Sequence, residues 1–343
     1  MATTFKTLNS ANDVTSTRTL LHEAIPLTGT IASGTYTDAN IKTYSHGMFE
    51  SVYDYPYLSS SANHIFDITT GYASDSTLSS SASIQNSKKL NIYSQMAQVL
   101  VGYDATGSIQ SFDQDGDIAA GGTKIREALF VNFSRLLSKD EIKKGSFSIG
   151  LTTGGTSAAP VTNLTIADHG AADSYKVNSP AGEYGILYTS SATPNSASGV
   201  GLVYYQAGVA VLTGSNFAAS TMGTGVTVAT GYSAIATGST IDVMANCFRN
   251  RLTNVSFNNT VELNSTVYFC RASHNEFNYS NNPTYLSESQ IRVKNSTTDN
   301  PVSYVTTVGL YSSDNELLAV AKLSEPLKKD PSTEVTLRVR LDF

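Results

Sequence analysis

The chain has 343 residues, with 22 Lys or Arg against 28 Asp or Glu and a formal net charge of −6. That balance offers no basic stripe for neutralising phosphates, which argues against a general nucleic-acid binder, and no run of about 18 apolar residues is present to span a bilayer. Charged residues are only 15% of the chain, below the roughly 25% of an average globular domain, so the surface is polar without being highly charged, as in virion components, lectins and adhesins.

The opening residues, Met1-Ala-Thr-Thr-Phe-Lys-Thr-Leu8, lack the charged, apolar and small-residue zones of a secretory signal. Assembly in a cytoplasm is therefore expected. Residues 2–20 are polar and weakly periodic, as in an arm that orders on docking, and residues 13–24 have a more helix-like pattern. A strand is expected over 25–31. The aromatics Tyr44, Phe49, Tyr53, Tyr55 and Tyr57 follow, in helix or irregular structure up to Pro56, because the residue before a proline resists the α region. Residues 79–83 are a Ser-rich loop. Leu90, Tyr93, Met96, Ala97, Leu100 and Tyr103 recur at steps of three and four, which predicts a helix over 86–103 that exits at Gly102 and Asp104. Residues 128–133 read as a buried strand. Ser138-Lys-Asp-Glu141 has the capping-box pattern of a single-turn helix ended by Gly145, and residues 146–151 alternate as a strand. Residues 1–151 thus read as an α+β N-terminal domain with a docking arm.

Small and β-branched residues then dominate, and 152–245 reads as a small β-rich middle domain. Its strands fall at 184–188, 201–205 and 208–212, with a sharp reversal at Gln206-Ala-Gly208. Residues 222–240 are poor in large side chains and read as a loop or inserted arm. Residues 246–343 hold short strands at 254–257, 266–272, 290–294, 304–311, 317–323 and 335–343, divided by Asn, Pro and Asp turns. That spacing predicts a C-terminal antiparallel β-sandwich acting as a docking domain, with Pro326 and Pro331 fencing the loop before the last strand. The fold class expected for the whole chain is mainly β with an α+β N-terminal region.

Candidate chemistry is sparse. Asp113-Gln-Asp-Gly-Asp117 resembles the start of a calcium loop, since oxygen ligands two residues apart converge on one ion. Ile118 replaces the glycine expected sixth and Lys124 the bidentate glutamate expected twelfth, so the reading is a turn with a solvated acidic tip and no metal. His22, His46, His64, His169 and His274 have no metal-ligand spacing. No nucleophile elbow, phosphate loop or dinucleotide fingerprint occurs, and nothing distinguishes Asp173, Glu183, Glu262 or Glu276 as a glycosidase pair. Cys247 and Cys270 sit among apolar neighbours and read as buried free thiols. The expectation is no enzyme and no cofactor.

The chain has 19 Tyr and no Trp. Tyrosine suits contact surfaces and also cross-strand pairing. The interface candidates are Phe277, Tyr279 and Tyr285, in the amide-rich segment 273–285, and Arg338 and Arg340, on one face of the last strand. Each has a structural alternative: an ordered loop pinned by its own aromatics, and a solvated face that protects an edge.

Tyr304-Val-Thr-Thr-Val-Gly-Leu-Tyr311, Ser-Ser-Asp-Asn, Glu316-Leu-Leu-Ala-Val-Ala-Lys-Leu323 and a final strand resemble a pattern found in attachment domains of tailed-phage tail fibres. The segment 267–285, with Gly185-Ile-Leu-Tyr188 and Gly201-Leu-Val-Tyr-Tyr-Gln-Ala-Gly208, looks like virion structural proteins of large phages with contractile tails. The resemblance rests on packing and turn patterns and implies a setting more than a task. It implies a non-enzymatic structural protein of a tailed-bacteriophage virion, assembled in the host cytoplasm. Such a protein joins neighbouring tail or baseplate components or anchors fibres, in multiple copies, with no nucleic-acid partner and no membrane anchor. A host-surface glycan adhesin and a head or neck component are the alternatives.

Overall fold

A computed structural model describes residues 5–28, 38–118, 121–156, 159–189, 199–217, 231–279, 286–287, 290–291, 298 and 300–343. The chain is mainly β, with antiparallel sheets and a C-terminal hairpin. It divides into two compact units, Met1–Leu20 with Glu262–Phe343, and Leu21–Val261. Both cuts fall inside long strands, Val14–Thr28 and Leu252–Ala272, and neither falls at 151/152 or 245/246, where composition shifts.

The reason lies in the larger unit. Its eight-stranded sheet runs in the order Lys176–Ser179, Gly182–Leu187, Gly201–Tyr204, Val209–Thr213, Glu127–Phe133, His64–Tyr72, Glu50–Tyr53 and Ile41–Thr43. Strands expected in a middle domain are therefore hydrogen-bonded beside strands expected in the N-terminal one, with the seam from Val209↔Asn132 to Thr213↔Ala128. Side chains alternate across this sheet, as a period of two requires. Leu129, Val131, Phe133, Ala210 and Leu212 enter one core, while Ala128, Phe130, Val209 and Val211 enter the other. Both faces are covered, which is why these strands read as continuous apolar runs.

The first core is completed by Phe147, Ile149, Leu151, Val255 and Phe257, and by Met244 and Phe248 of helix Ile241–Arg251. The second is completed by Ile92, Tyr93, Ala97 and Leu100 of helix Asn86–Leu100, with Phe112 and Ile125 of a small hairpin. That helix forms as its periodicity predicts and ends where Gly102 takes φ 90°. Its Lys89 is fully buried and donates to the carbonyls of Ile84 (2.8 Å), Ala236 (2.6 Å) and Ser239 (2.6 Å), anchoring the end of helix Tyr232–Gly238. Burial lowers the Lys89 ammonium to about 8.

Several local expectations are overturned. Residues 13–24 are not helical: Val14–Thr28 is a strand paired with Leu252–Ala272, because β-branched Val14, Thr15, Thr17 and Thr19 suit a pleated surface. Residues 44–57 contain strand Glu50–Tyr53. The capping box does not start a helix. Arg135–Ser138 is the helical turn, Lys139 leaves it at φ 56°, and Glu141–Ile142 pairs with Asn259 and Thr260. Of the loop expected over 222–240, residues 222–230 lie outside the described residues and Tyr232–Gly238 is helical.

In the smaller unit, Val335–Asp342 pairs with Leu252–Ala272 from Ser265↔Asp342 to Ala272↔Val335. It does not extend the hairpin as a third strand. The hairpin itself is Ser303–Tyr311 against Leu317–Lys329, a two-stranded ribbon. Its second strand runs through Pro326 to Lys329, so that proline does not fence a loop. The register shifts between Val305↔Leu327 and Thr307↔Lys322, and Pro326 lies within this irregular stretch, where its missing N–H breaks no ladder bond.

Candidate functional site

The ribbon presents its apolar residues to the outside. Directly opposed residues share a face, so Leu310 with Ala319 and Val308 with Ala321 define the more covered side. On the other side Gly309 stands opposite Val320, and Leu318 and Val320 are 67% and 52% exposed. Tyr304, Tyr311, Leu317 and Leu327 are exposed as well. A lone two-stranded hairpin is marginal in water, and exposed apolar residues along it mark a contact surface. Its turn is set by Asn315 at φ 63° and by Ser312, whose Oγ accepts from the backbone N–H groups of Asp314 (3.2 Å) and Glu316 (3.1 Å).

The foot of the ribbon holds the aromatic loop. Ser303 and Lys329 are register partners. Ser303 Oγ donates to the Phe277 carbonyl, and the buried Lys329 ammonium donates to Asn278 Oδ1 (2.7 Å), His274 O (3.3 Å) and Asp330 O (3.0 Å). Phe277, at φ 53°, is half-buried beside this clamp, and Tyr279 is exposed. Tyr285 lies outside the described residues. The N-terminal segment touches both the ribbon and the loop: Phe5 meets the ring of Tyr311, at the turn end of the ribbon, edge-on at 5.1 Å, and Lys6 pairs with Glu276 of the loop at 2.5 Å. The Lys6 bond and the Ser273 N–H hold the Glu276 carboxyl below its usual range.

On Val335–Asp342 the alternation is as expected, with Leu337, Val339 and Leu341 covered and Arg338 and Arg340 exposed. Arg340 is engaged within its own sheet, donating from Nε to Asp342 Oδ1 (2.7 Å) and from Nη2 to Ser265 Oγ (3.0 Å). Ser265 first, then Arg340, holds the Asp342 carboxyl low. The structure therefore brings Phe277 and Tyr279 to the ribbon's foot and gives Arg340 a structural pair. Sequence reasoning missed Lys329, because only tertiary contacts mark it.

Elsewhere, an open cavity of ≈ 540 Å³ is lined by His46, Met48, Phe49, Thr69, Met96 and Val99 among others. Among the described residues, no carboxylate lines it. Glu183, Glu262 and Glu276 each pair with a cation, Lys144, Arg18 and Lys6 respectively. Among the described residues, the histidines join no metal-ligating group of three, whereas Asp113, Asp115 and Asp117 do. Asp113 is buried, so the acidic turn is not wholly a solvated tip, and Ile118 adopts φ 59°, the left-handed conformation that the sixth-position glycine would supply. Cys247 is a buried free thiol and Cys270 a half-buried one. No helix of the described residues is long and apolar enough to cross a membrane. The chain matches no known protein-family model, no curated protein and no solved structure.

Proposed function

We propose that this chain is a non-enzymatic structural component of a tailed-bacteriophage virion, a tail or baseplate protein that joins neighbouring components through its C-terminal ribbon. The observation that carries the reading is the ribbon itself. Its strands pair with each other and with no other described strand, yet they keep Leu317, Leu318 and Val320 in solvent. An apolar two-stranded element of this kind gains its stability by burial against a partner. The low charge of the chain keeps the cost of desolvating such a contact small, and exposed Tyr279, Tyr304 and Tyr311 supply rigid rings with polar tips at its margin. The Ser303 and Lys329 clamp ties the ribbon to Phe277 and Asn278, which lowers the ordering cost of binding.

Cryo-electron microscopy of the particle carrying this chain tests the proposal. Density for the chain in the tail or baseplate, with the ribbon buried against a neighbouring subunit, supports it. Placement in the capsid lattice, or a ribbon left in solvent in the assembled particle, overturns it.

A further inference from the structure

Phe112–Asp113 pairs with Lys124–Ile125, and the connection between them begins with the acidic run. One carboxylate oxygen from each of Asp113, Asp115 and Asp117 lies within 4.8 Å of the others. Carboxylates this close disfavour each other's ionised form unless positive charge stands between them. One such charge is present, the Lys124 ammonium, which is bound to Asp113 Oδ2.

The decisive atom is the other oxygen of Asp113. The residue is 2% exposed, and its Oδ1 has no hydrogen-bond partner. A Cβ built on Gly122 would lie 3.5 Å from Asp113 Oδ1 and 3.7 Å from Asp115 Oδ2, so both oxygens face the small space that the glycine leaves open. A buried carboxylate oxygen without a donor is costly, and an oxygen-ligated cation removes that cost. The loop is held in place by groups that leave this oxygen unused. Tyr184 donates its hydroxyl to the Gly116 carbonyl (2.9 Å), and Asn178 Nδ2 donates to the carbonyls of Gly116 (3.1 Å) and Asp117 (3.4 Å).

We propose that Asp113, Asp115 and Asp117 bind a divalent cation, with Asp113 Oδ1 as the buried ligand and calcium as the preferred ion. An all-oxygen set on a loop suits calcium, whose coordination is flexible, better than magnesium, which demands near-ideal octahedral geometry. Lys124 occupies the place of a closing bidentate carboxylate, so the affinity is that of a weak extracellular-type site, with Kd about 10⁻⁴–10⁻³ M. The proposal is independent of the docking function.

The test uses full-length, chelator-treated protein titrated with calcium chloride by isothermal calorimetry. Asp113→Asn would break the Lys124 pair and risk the fold, so the variant is the double substitution Asp115→Asn and Asp117→Asn, with circular dichroism as the fold control. One saturable site is expected, weakened at least tenfold in the double variant. Terbium adds a positional readout, because the chain has no Trp and Tyr184 is the tyrosine that hydrogen-bonds the loop. Sensitised emission that calcium displaces, and that falls several-fold in Tyr184→Phe, supports the site. Absence of saturable heat up to about 10 mM calcium, tenfold above the weakest range, overturns the proposal, as does binding unchanged in the double variant.

Discussion

Lys329, buried at the foot of the C-terminal ribbon, donates its ammonium to Asn278 Oδ1 at 2.7 Å and so ties the ribbon to the loop that carries Phe277 and Tyr279. Its register partner Ser303 donates to the Phe277 carbonyl from the opposite strand. Two residues at one end of a ladder thereby fix an aromatic loop far from them in sequence. The proposed docking surface depends on this clamp as much as on the ribbon's exposed leucines.

Lys329→Met removes the ammonium while keeping most of the apolar stem. It leaves the His274 and Asp330 carbonyls and Asn278 Oδ1 without this donor, and hydrogen bonds to a charged group are worth about 1.5–3 kcal/mol each, with strong non-additivity. The expected loss is about 2–4 kcal/mol of unfolding free energy, measured by urea denaturation. A midpoint unchanged from wild type would show that the clamp contributes nothing.

Leu318 and Val320 are two residues apart on one strand and so share a face. Replacing both by Asp leaves the buried cores untouched, and surface changes of this kind alter stability by about 0.5 kcal/mol or less. In the proposed virion role, incorporation of the variant into particles is expected to fall at least tenfold, read by immunoblot of purified virions, while its melting temperature stays near that of wild type. Normal incorporation would remove the ribbon from the assembly contact.

Glu50 makes a pH dependence. The residue is fully buried, Asn246 Nδ2 donates to its Oε1 at 3.1 Å, and Oε2 has no partner. Burial raises its carboxyl from 4.5 to about 7, with Arg249 pulling the other way. Between those values the unfolded chain releases a proton that the folded chain keeps, so this contribution to stability is fully present below 4.5 and is lost as pH rises to about 7. A shift of this size corresponds to about 3 kcal/mol. Glu50→Gln is expected to flatten the stability profile across that window, measured by urea unfolding at about pH 5 and about pH 8. An identical slope in both proteins would refute the assignment.

The legible parts of the fold are those where one period dominates. Leu129, Val131 and Phe133 alternate with Ala128 and Phe130, and Leu90, Tyr93, Ala97 and Leu100 recur at helical steps. Each pattern matches the element that forms. Residues 13–24 misled because their pairing partner is remote: Ser16 Oγ meets Thr266 Oγ1 at 3.1 Å, and no local signal announces that contact. The helices after residue 230 were obscured by small residues, although Ile241, Met244, Ala245 and Phe248 stand at helical spacing and face the cores. At the candidate site, the exposed ribbon and the Arg338 face follow from strand alternation, whereas the Lys329 clamp and the free Asp113 oxygen exist only once the chain has folded.

Gly71 tests how closely the helix Asn86–Leu100 sits on the central sheet. A Cβ at this position would lie 2.6 Å from the Lys89 carbonyl oxygen, 2.8 Å from the Tyr93 nitrogen and 3.1 Å from the Tyr93 Cβ. Two of these atoms are backbone, so no side-chain rotation relieves the clash and the helix itself must shift. That shift would disturb the Tyr93 hydroxyl, which donates to the Ile125 carbonyl at 2.6 Å, and its ring, which packs edge-on against Phe112 at 5.4 Å. It would also move Lys89, whose ammonium anchors the helix ending near Ser239. Overpacking of this kind costs about 1–3 kcal/mol, so Gly71→Ala is expected to lower the melting temperature by several degrees while far-UV circular dichroism stays native. Because the clash and the anchor share Lys89, Gly71→Ala in a Lys89→Met background is expected to cost less than in wild type. Additive losses in that double-mutant cycle would mean that the sheet contact and the helix anchor act independently.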